Sequence, residues 1–221
     1  MSAPKSFLEH LGVSPQTSTI PPSAHDSILI IIDAQNEYLD GLLAISKDNL
    51  AYSRPNILKL LERYRAARAP VVHIQHLTAP GASVFTPSTP LADIFPELTP
   101  LPARLASSDS NVDFERIVSK RFPGAFTQTP LNEIITNSGV RKVVLVGYMA
   151  HVCVSTTARQ AQELGYDTYV VADAIGDRDI PAVEGGEGGA RGEEVTKIVF
   201  WMVLMELADI FATVVKTEDV Q

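Results

Sequence analysis

The chain has 221 residues, 45% of them hydrophobic and 20% charged, with 18 Lys plus Arg against 26 Asp plus Glu and a net charge of -8. A chain this long can bury one large core. Its acidic balance, with no basic run longer than Lys120-Arg121 or Arg141-Lys142, speaks against a nucleic-acid or anionic-membrane surface, and no apolar stretch approaches the roughly 20 residues that span a bilayer.

The single Cys leaves no internal disulfide, and the first ten residues have no apolar signal-peptide core. The expected setting is therefore reducing and cytoplasmic, with export that needs no signal peptide left open. Residues 1–26 mix Pro, Ser, Thr and Gln and read as an irregular arm, with one short helix around Ser6 to Leu11; residues 27–221 read as one domain. Ser27 to Ile32 is a continuous apolar, β-branched run closed by Asp33, the pattern of a strand covered on both faces. Ser53-Arg54-Pro55 places a capping residue before a proline, and Ile57, Leu58, Leu60, Leu61 and Tyr64 recur at helical spacing up to Ala69-Pro70. Val71 to His76 is the next strand. Leu77 to Asp113 carries six of the fifteen prolines, and so long an irregular segment is expected to cover a site.

Arg116 to Ser119 reads as the third strand, ending at Lys120. Leu131 to Ser138 is a helix terminated by Gly139, and Lys142 to Val146 a buried strand stopped by Gly147. Val152 to Leu164 is a helix, Tyr166 to Ala172 the fifth strand, Glu193 to Leu207 the last long helix and Ile210 to Val215 the sixth strand. Strands alternating with helices predict an α/β fold: three layers, doubly wound, with a six-stranded and mostly parallel sheet. The glycine-rich stretch 184–192 lacks the Lys-Ser/Thr ending of a phosphate loop and reads as a flexible connector.

In open parallel sheets, ligands bind beyond the carboxyl ends of the strands. Asp33 closes the first strand, Lys120 the third, and the fourth leads through a tight glycine turn to Cys153. Cys153 opens a helix, whose positive end favours a thiolate; an ammonium from Lys120 would lower its pKa further, and Asp33 could take the thiol proton. Taken singly each has a plainer reading: a buried filler, a surface charge and a turn cap.

The combination Ile-Ile-Ile-Asp33-Ala-Gln35-Asn, Ser-Lys120-Arg-Phe-Pro-Gly-Ala-Phe126 and Gly147-Tyr-Met-Ala-His151-Val-Cys153 resembles the isochorismatase-like superfamily of cysteine hydrolases, in the family's order and from about Ser27 to Val215. The resemblance implies Asp33, Lys120 and Cys153 as catalytic residues, a cis peptide between Tyr148 and Met149, and an oxyanion hole from the backbone N–H groups of Met149 and Cys153. Gln35, Tyr38, His76, Phe126, Tyr148 and His151 are the expected pocket residues. Nicotinamidases of the superfamily carry an Asp-x-His that holds a metal; here the stretch reads His73-Ile-Gln-His76. Residues three apart on a strand point to opposite faces. No metal and no cofactor are expected.

Retention of Cys153, where isochorismatases proper resemble one another in carrying a small residue, favours C–N cleavage of a small amide through a thioester. One alternative is hydrolysis of isochorismate to pyruvate and a dihydroxy acid, with Asp33 as acid; a second is a non-catalytic binding protein on the same fold. The expected partner is a small molecule, with no nucleic acid and no membrane. The apolar last helix, with Phe200, Trp201 and Met205, leads to an expected homo-oligomer, a dimer or larger.

Overall fold

The computed structural model describes residues 6–10, 21–102, 115–181 and 193–221. The glycine-rich stretch, most of the N-terminal arm and residues 103–113 of the Pro-rich segment lie outside the described residues. In chain order the elements are α1 (Phe7–His10), β1 (Ser27–Ile32), α2 (Glu37–Asp40), α3 (Lys47–Ala67), β2 (Val71–His76), β3 (Glu115–Lys120), α4 (Leu131–Ser138), β4 (Lys142–Tyr148), α5 (Ser155–Glu163), β5 (Asp167–Gly176), α6 (Glu193–Glu206) and β6 (Thr213–Val215).

The six strands form one sheet in the order β3-β2-β1-β4-β5-β6, with every pairing parallel. All six residues of β1 are buried, because helices cover both faces. Leu29 and Ile31 pack with Ile57, Leu60, Leu61 and Tyr64 of α3. Ile28, Ile30 and Ile32 pack on the other face with Leu131 and Ile135 of α4, Ala158 and Ala161 of α5, and Leu204 of α6. Each such isoleucine contributes about 2 kcal/mol of burial.

Several boundaries differ from the sequence expectation. Ser53-Arg54-Pro55 is not a helix start. Ser46 is the cap, its Oγ accepting from the Asn49 N–H, and Pro55 lies inside α3. The helix ends on Arg68, left-handed at φ 55°. β5 runs on past Ala172 to Gly176, with a register shift against β4 between Leu145 and Gly147. The helix expected from Val152 is preceded by a wide π-type turn, Ala150–Val154, and a second such turn, Leu207–Phe211, takes Ile210 out of β6. The Pro-rich segment contains two short 3-10 turns, Pro90–Ala92 and Pro96–Leu98, and an isolated bridge from Ile94 to Gln35.

Strand order reverses between β1 and β4, so their carboxyl ends flank the crevice where sheets of this kind hold ligands. Asp33 follows one strand and the Cys153 turn follows the other.

Candidate active site

The register brings the site residues to one sheet edge. Ile32 pairs with Gly147 across β1 and β4, and His76 pairs with Lys120 across β2 and β3. Gly147 has φ 112°, and a Cβ there would run into the Ile32 carbonyl; a side chain is excluded where the chain turns toward the thiol. The Tyr148–Met149 peptide is cis, and Asp33 itself is left-handed at φ 48°. Cys153 then sits within the π-type turn rather than at a regular helix start.

Lys120 is the hub. Its Nζ lies 2.7 Å from Asp33 Oδ2, 3.3 Å from Cys153 Sγ and 3.0 Å from His76 Nδ1. The ammonium is thus ion-paired with Asp33 and hydrogen-bonded to the sulfur and the imidazole. Asp33, Lys120 and Cys153 are all buried. Burial pushes the Asp33 carboxyl up, against the opposing pull of Lys120. The thiol also moves up, through burial first and the Asp33 charge second, which together outweigh Lys120. This corrects the expectation of a thiol acidified by a helix terminus and an ammonium: burial disfavours the charged form of both acidic groups, and the single Lys120 cation does not offset it. His76 is pushed down to about 4 by burial and by Lys120.

The expected pocket residues divide into distinct roles. Gln35 is fully buried; its Oε1 accepts from the His76 N–H at 2.7 Å, and its Nε2 donates to the carbonyls of His76 at 2.9 Å and Ala92 at 2.7 Å. Tyr38 and Tyr148 are buried with ring centroids 5.6 Å apart, and the Tyr148 hydroxyl is 2.8 Å from Ser53 Oγ. Phe126 is half-buried and stacks on Tyr166. Asp177 binds His151 twice, at the backbone N–H at 3.0 Å and at ring Nδ1 at 2.7 Å.

Two participants escaped the sequence reading. Phe85, from the Pro-rich segment, packs edge-on against both Tyr38 and His76, so that segment does lie over the ends of β1 and β2. Asp177 follows β5 as Asp33 follows β1, a signal hidden by ending the strand at Ala172. His73 faces away from the hub, with Nε2 3.4 Å from Glu115 Oε2. Among the described residues, no group of three or more His, Cys, Asp or Glu is placed to hold a metal ion, and no helix is long and apolar enough to cross a membrane.

The sequence model of the isochorismatase domain matches residues 27–186. A secreted isochorismatase effector of Verticillium dahliae is 49% identical, over 97% of this chain and 98% of that protein. A streptothricin hydrolase of Streptomyces noursei is 33% identical over 71% of this chain and 57% of its own length. The crystal structure of an isochorismatase from Pseudomonas putida superposes with a TM-score of 0.83 at 30% identity, covering 99% of this chain and all of the other.

Proposed function

The chain belongs to the isochorismatase family and is a hydrolase of that cysteine-hydrolase group; from that premise we propose that it hydrolyses an enol ether of the isochorismate kind, with Asp33 as the acid. The observation that carries this reading is the buried Asp33 carboxyl, raised by desolvation and 2.7 Å from an ammonium that steadies it once its proton has left. Asp33 protonates the terminal carbon of the enol ether, and the resulting oxocarbenium ion takes up water. The added water gives up a proton to Asp33, and the neutral hemiketal collapses to pyruvate and the dihydroxy acid, its hydroxyl proton passing to the leaving oxygen. Retained thiol alone would favour a C–N bond. The near full-length likeness to a protein described as an isochorismatase effector supports the enol ether instead, and a thiol that keeps its proton is compatible with it.

A second reading is favoured by the 3.3 Å between Lys120 Nζ and Cys153 Sγ, which puts a cation where a thiolate would form. In it, Cys153 attacks an amide carbonyl, Asp33 takes the thiol proton and passes it to the leaving amine, and backbone N–H groups of Met149 and Cys153 hold the oxyanion. Water directed by Asp33 then opens the thioester. Isochorismate and a panel of small amides, scored for pyruvate and ammonia with wild type and Cys153→Ala, separate the two. Pyruvate release that survives the substitution supports the enol ether; ammonia release that is lost with the thiol supports the amide. Neither product from the wild type overturns both.

The same reading includes self-association through the exposed apolar face of α6. It also favours action outside the producing cell over the cytoplasmic setting, since the Verticillium relative is described as secreted. Detection of the protein in culture medium without cell lysis tests the latter.

A further inference from the structure

His76 is held more firmly than a pocket-lining residue needs. Its backbone is clamped at both N–H and C=O by the buried side chain of Gln35. The following residue is fixed as well, the Leu77 N–H donating to the Lys120 carbonyl at 2.9 Å. The ring lies against Phe85, with centroids 5.1 Å apart and planes at 66°. Its Nδ1 is 3.0 Å from Lys120 Nζ. His76 is nevertheless only partly buried.

These constraints determine what the imidazole can offer. Lys120, ion-paired with Asp33, can only donate, so Nδ1 must accept and the ring proton must sit on Nε2. A second positive charge beside the ammonium is disfavoured, and the ring is held neutral by burial and by Lys120. The result is a single N–H donor of fixed orientation, attached to the group that also touches Asp33 and Cys153.

We infer that His76 is a specificity-determining residue of this site, a neutral imidazole locked as the Nε2–H tautomer that donates to an oxygen acceptor on the substrate next to the reacting carbon. This deepens the reading of Asp33, Lys120 and Cys153 as the reactive centre and rests on it. The substrate class it selects carries a carbonyl, ether or carboxylate oxygen at that position; a compound that presents an N–H there meets a donor facing a donor and is rejected.

Two experiments test this without a known substrate. In the wild-type protein labelled with 15N-histidine, with His76 assigned by the loss of its signals in His76→Asn, His76 should show a protonated Nε2 and a bare Nδ1 from about pH 6 to 8. A protonated Nδ1 or a charged ring in that range overturns the inference. The second compares alkylation of Cys153 by iodoacetamide, which has a carbonyl oxygen beside the reacting carbon, and by allyl bromide, which has none. Asn places an acceptor where Nδ1 lies and removes the Nε2 donor; Gln places a donor near Nε2 and removes the Nδ1 acceptor. His76→Asn should slow iodoacetamide about tenfold relative to allyl bromide, the scale of one hydrogen bond, while His76→Gln keeps the wild-type ratio of the two. An unchanged ratio in the Asn variant, or an equal fall in both, overturns the inference. A wild type that releases neither pyruvate nor ammonia while these signatures hold would instead overturn the reading of the reaction and leave the donor assignment standing.

Discussion

Lys120 Nζ lies 2.7 Å from Asp33 Oδ2, and neither side chain exposes any surface. A buried pair of this kind is held at the expense of desolvating two charges, and it adds little to stability over an apolar pair of equal volume. Removing one partner is another matter. Lys120→Met should cost about 3 kcal/mol, because Asp33 is left buried with no cation, and should lower turnover by about a thousandfold, the upper range for losing one charge-stabilising donor. The double variant Asp33→Asn/Lys120→Met should recover most of the stability and none of the activity. Urea unfolding of the four proteins measures the coupling; single-variant losses that simply add would refute it.

A second buried ionic cluster stands at the other end of β3. Arg65 Nε and Nη2 donate to Glu115 Oε1 and Oε2 at 2.8 and 3.0 Å, with His73 on the same carboxylate. Burial pushes Glu115 up, but the nearby His73 and the hydrogen-bonded Arg65 more than offset it and hold it at about 2, against an ordinary 4.5. Burial holds His73 below its ordinary 6.5. The unfolded chain therefore binds a proton at His73 before the folded one does as pH falls below about 6.5, and another at Glu115 between about 4.5 and 2. Both make stability fall with falling pH. Glu115→Gln should be less stable than wild type at neutral pH, with the gap closing from about pH 4.5 to 2. Urea midpoints across that range decide it, and a gap independent of pH would exclude Glu115 as its source.

What was legible in the sequence followed from how local each signal is. β1 and β4 are built on the apolar runs 28–32 and 143–146, so their burial, and the places of Asp33 just after one and Cys153 in the turn beyond the other, could be read directly. Pro55 misled because a proline within a helix looks the same in sequence as one opening it, and only the Ser46 cap distinguishes them. Gln35 was legible as a site residue, but not its clamp, because its partners are main-chain groups of His76 and Ala92, far away in sequence. The direction of the Cys153 shift was misjudged for a similar reason. Lys120 is visible in the sequence as a helpful cation, but its ion pair with Asp33 and the burial of the thiol are tertiary facts.

Asp177 is the clearest omission, and it carries a prediction of its own. Its fully buried carboxylate accepts from both the backbone N–H and the ring Nδ1 of His151, two residues before the thiol. Asp177→Ala leaves both donors without their carboxylate and should loosen the Ala150–Val154 turn. The expected result is a loss of about 2 kcal/mol in stability and a fall of about 10 to 100-fold in kcat with KM within twofold, since the residue acts through the turn and not on the substrate. A rise in KM with kcat unchanged would place Asp177 in binding instead.

The last prediction concerns the surface of α6. Ile198, Trp201, Met202 and Met205 recur at three- and four-residue spacing and so share one helix face, and they are 50 to 62% exposed. A contiguous apolar stripe with a central Trp is the composition of an interface core rather than of a wetted surface. Two copies related by a two-fold axis would bring the same stripe against itself, with Trp201 near the centre as the anchor. Light scattering should give the mass of a dimer or larger for the wild type and of a monomer for Trp201→Glu, with the melting temperature of the dissociated variant no longer dependent on protein concentration. A monomeric wild type would sink the association altogether. Dimers that survive both Trp201→Glu and Met205→Glu would move the interface off α6.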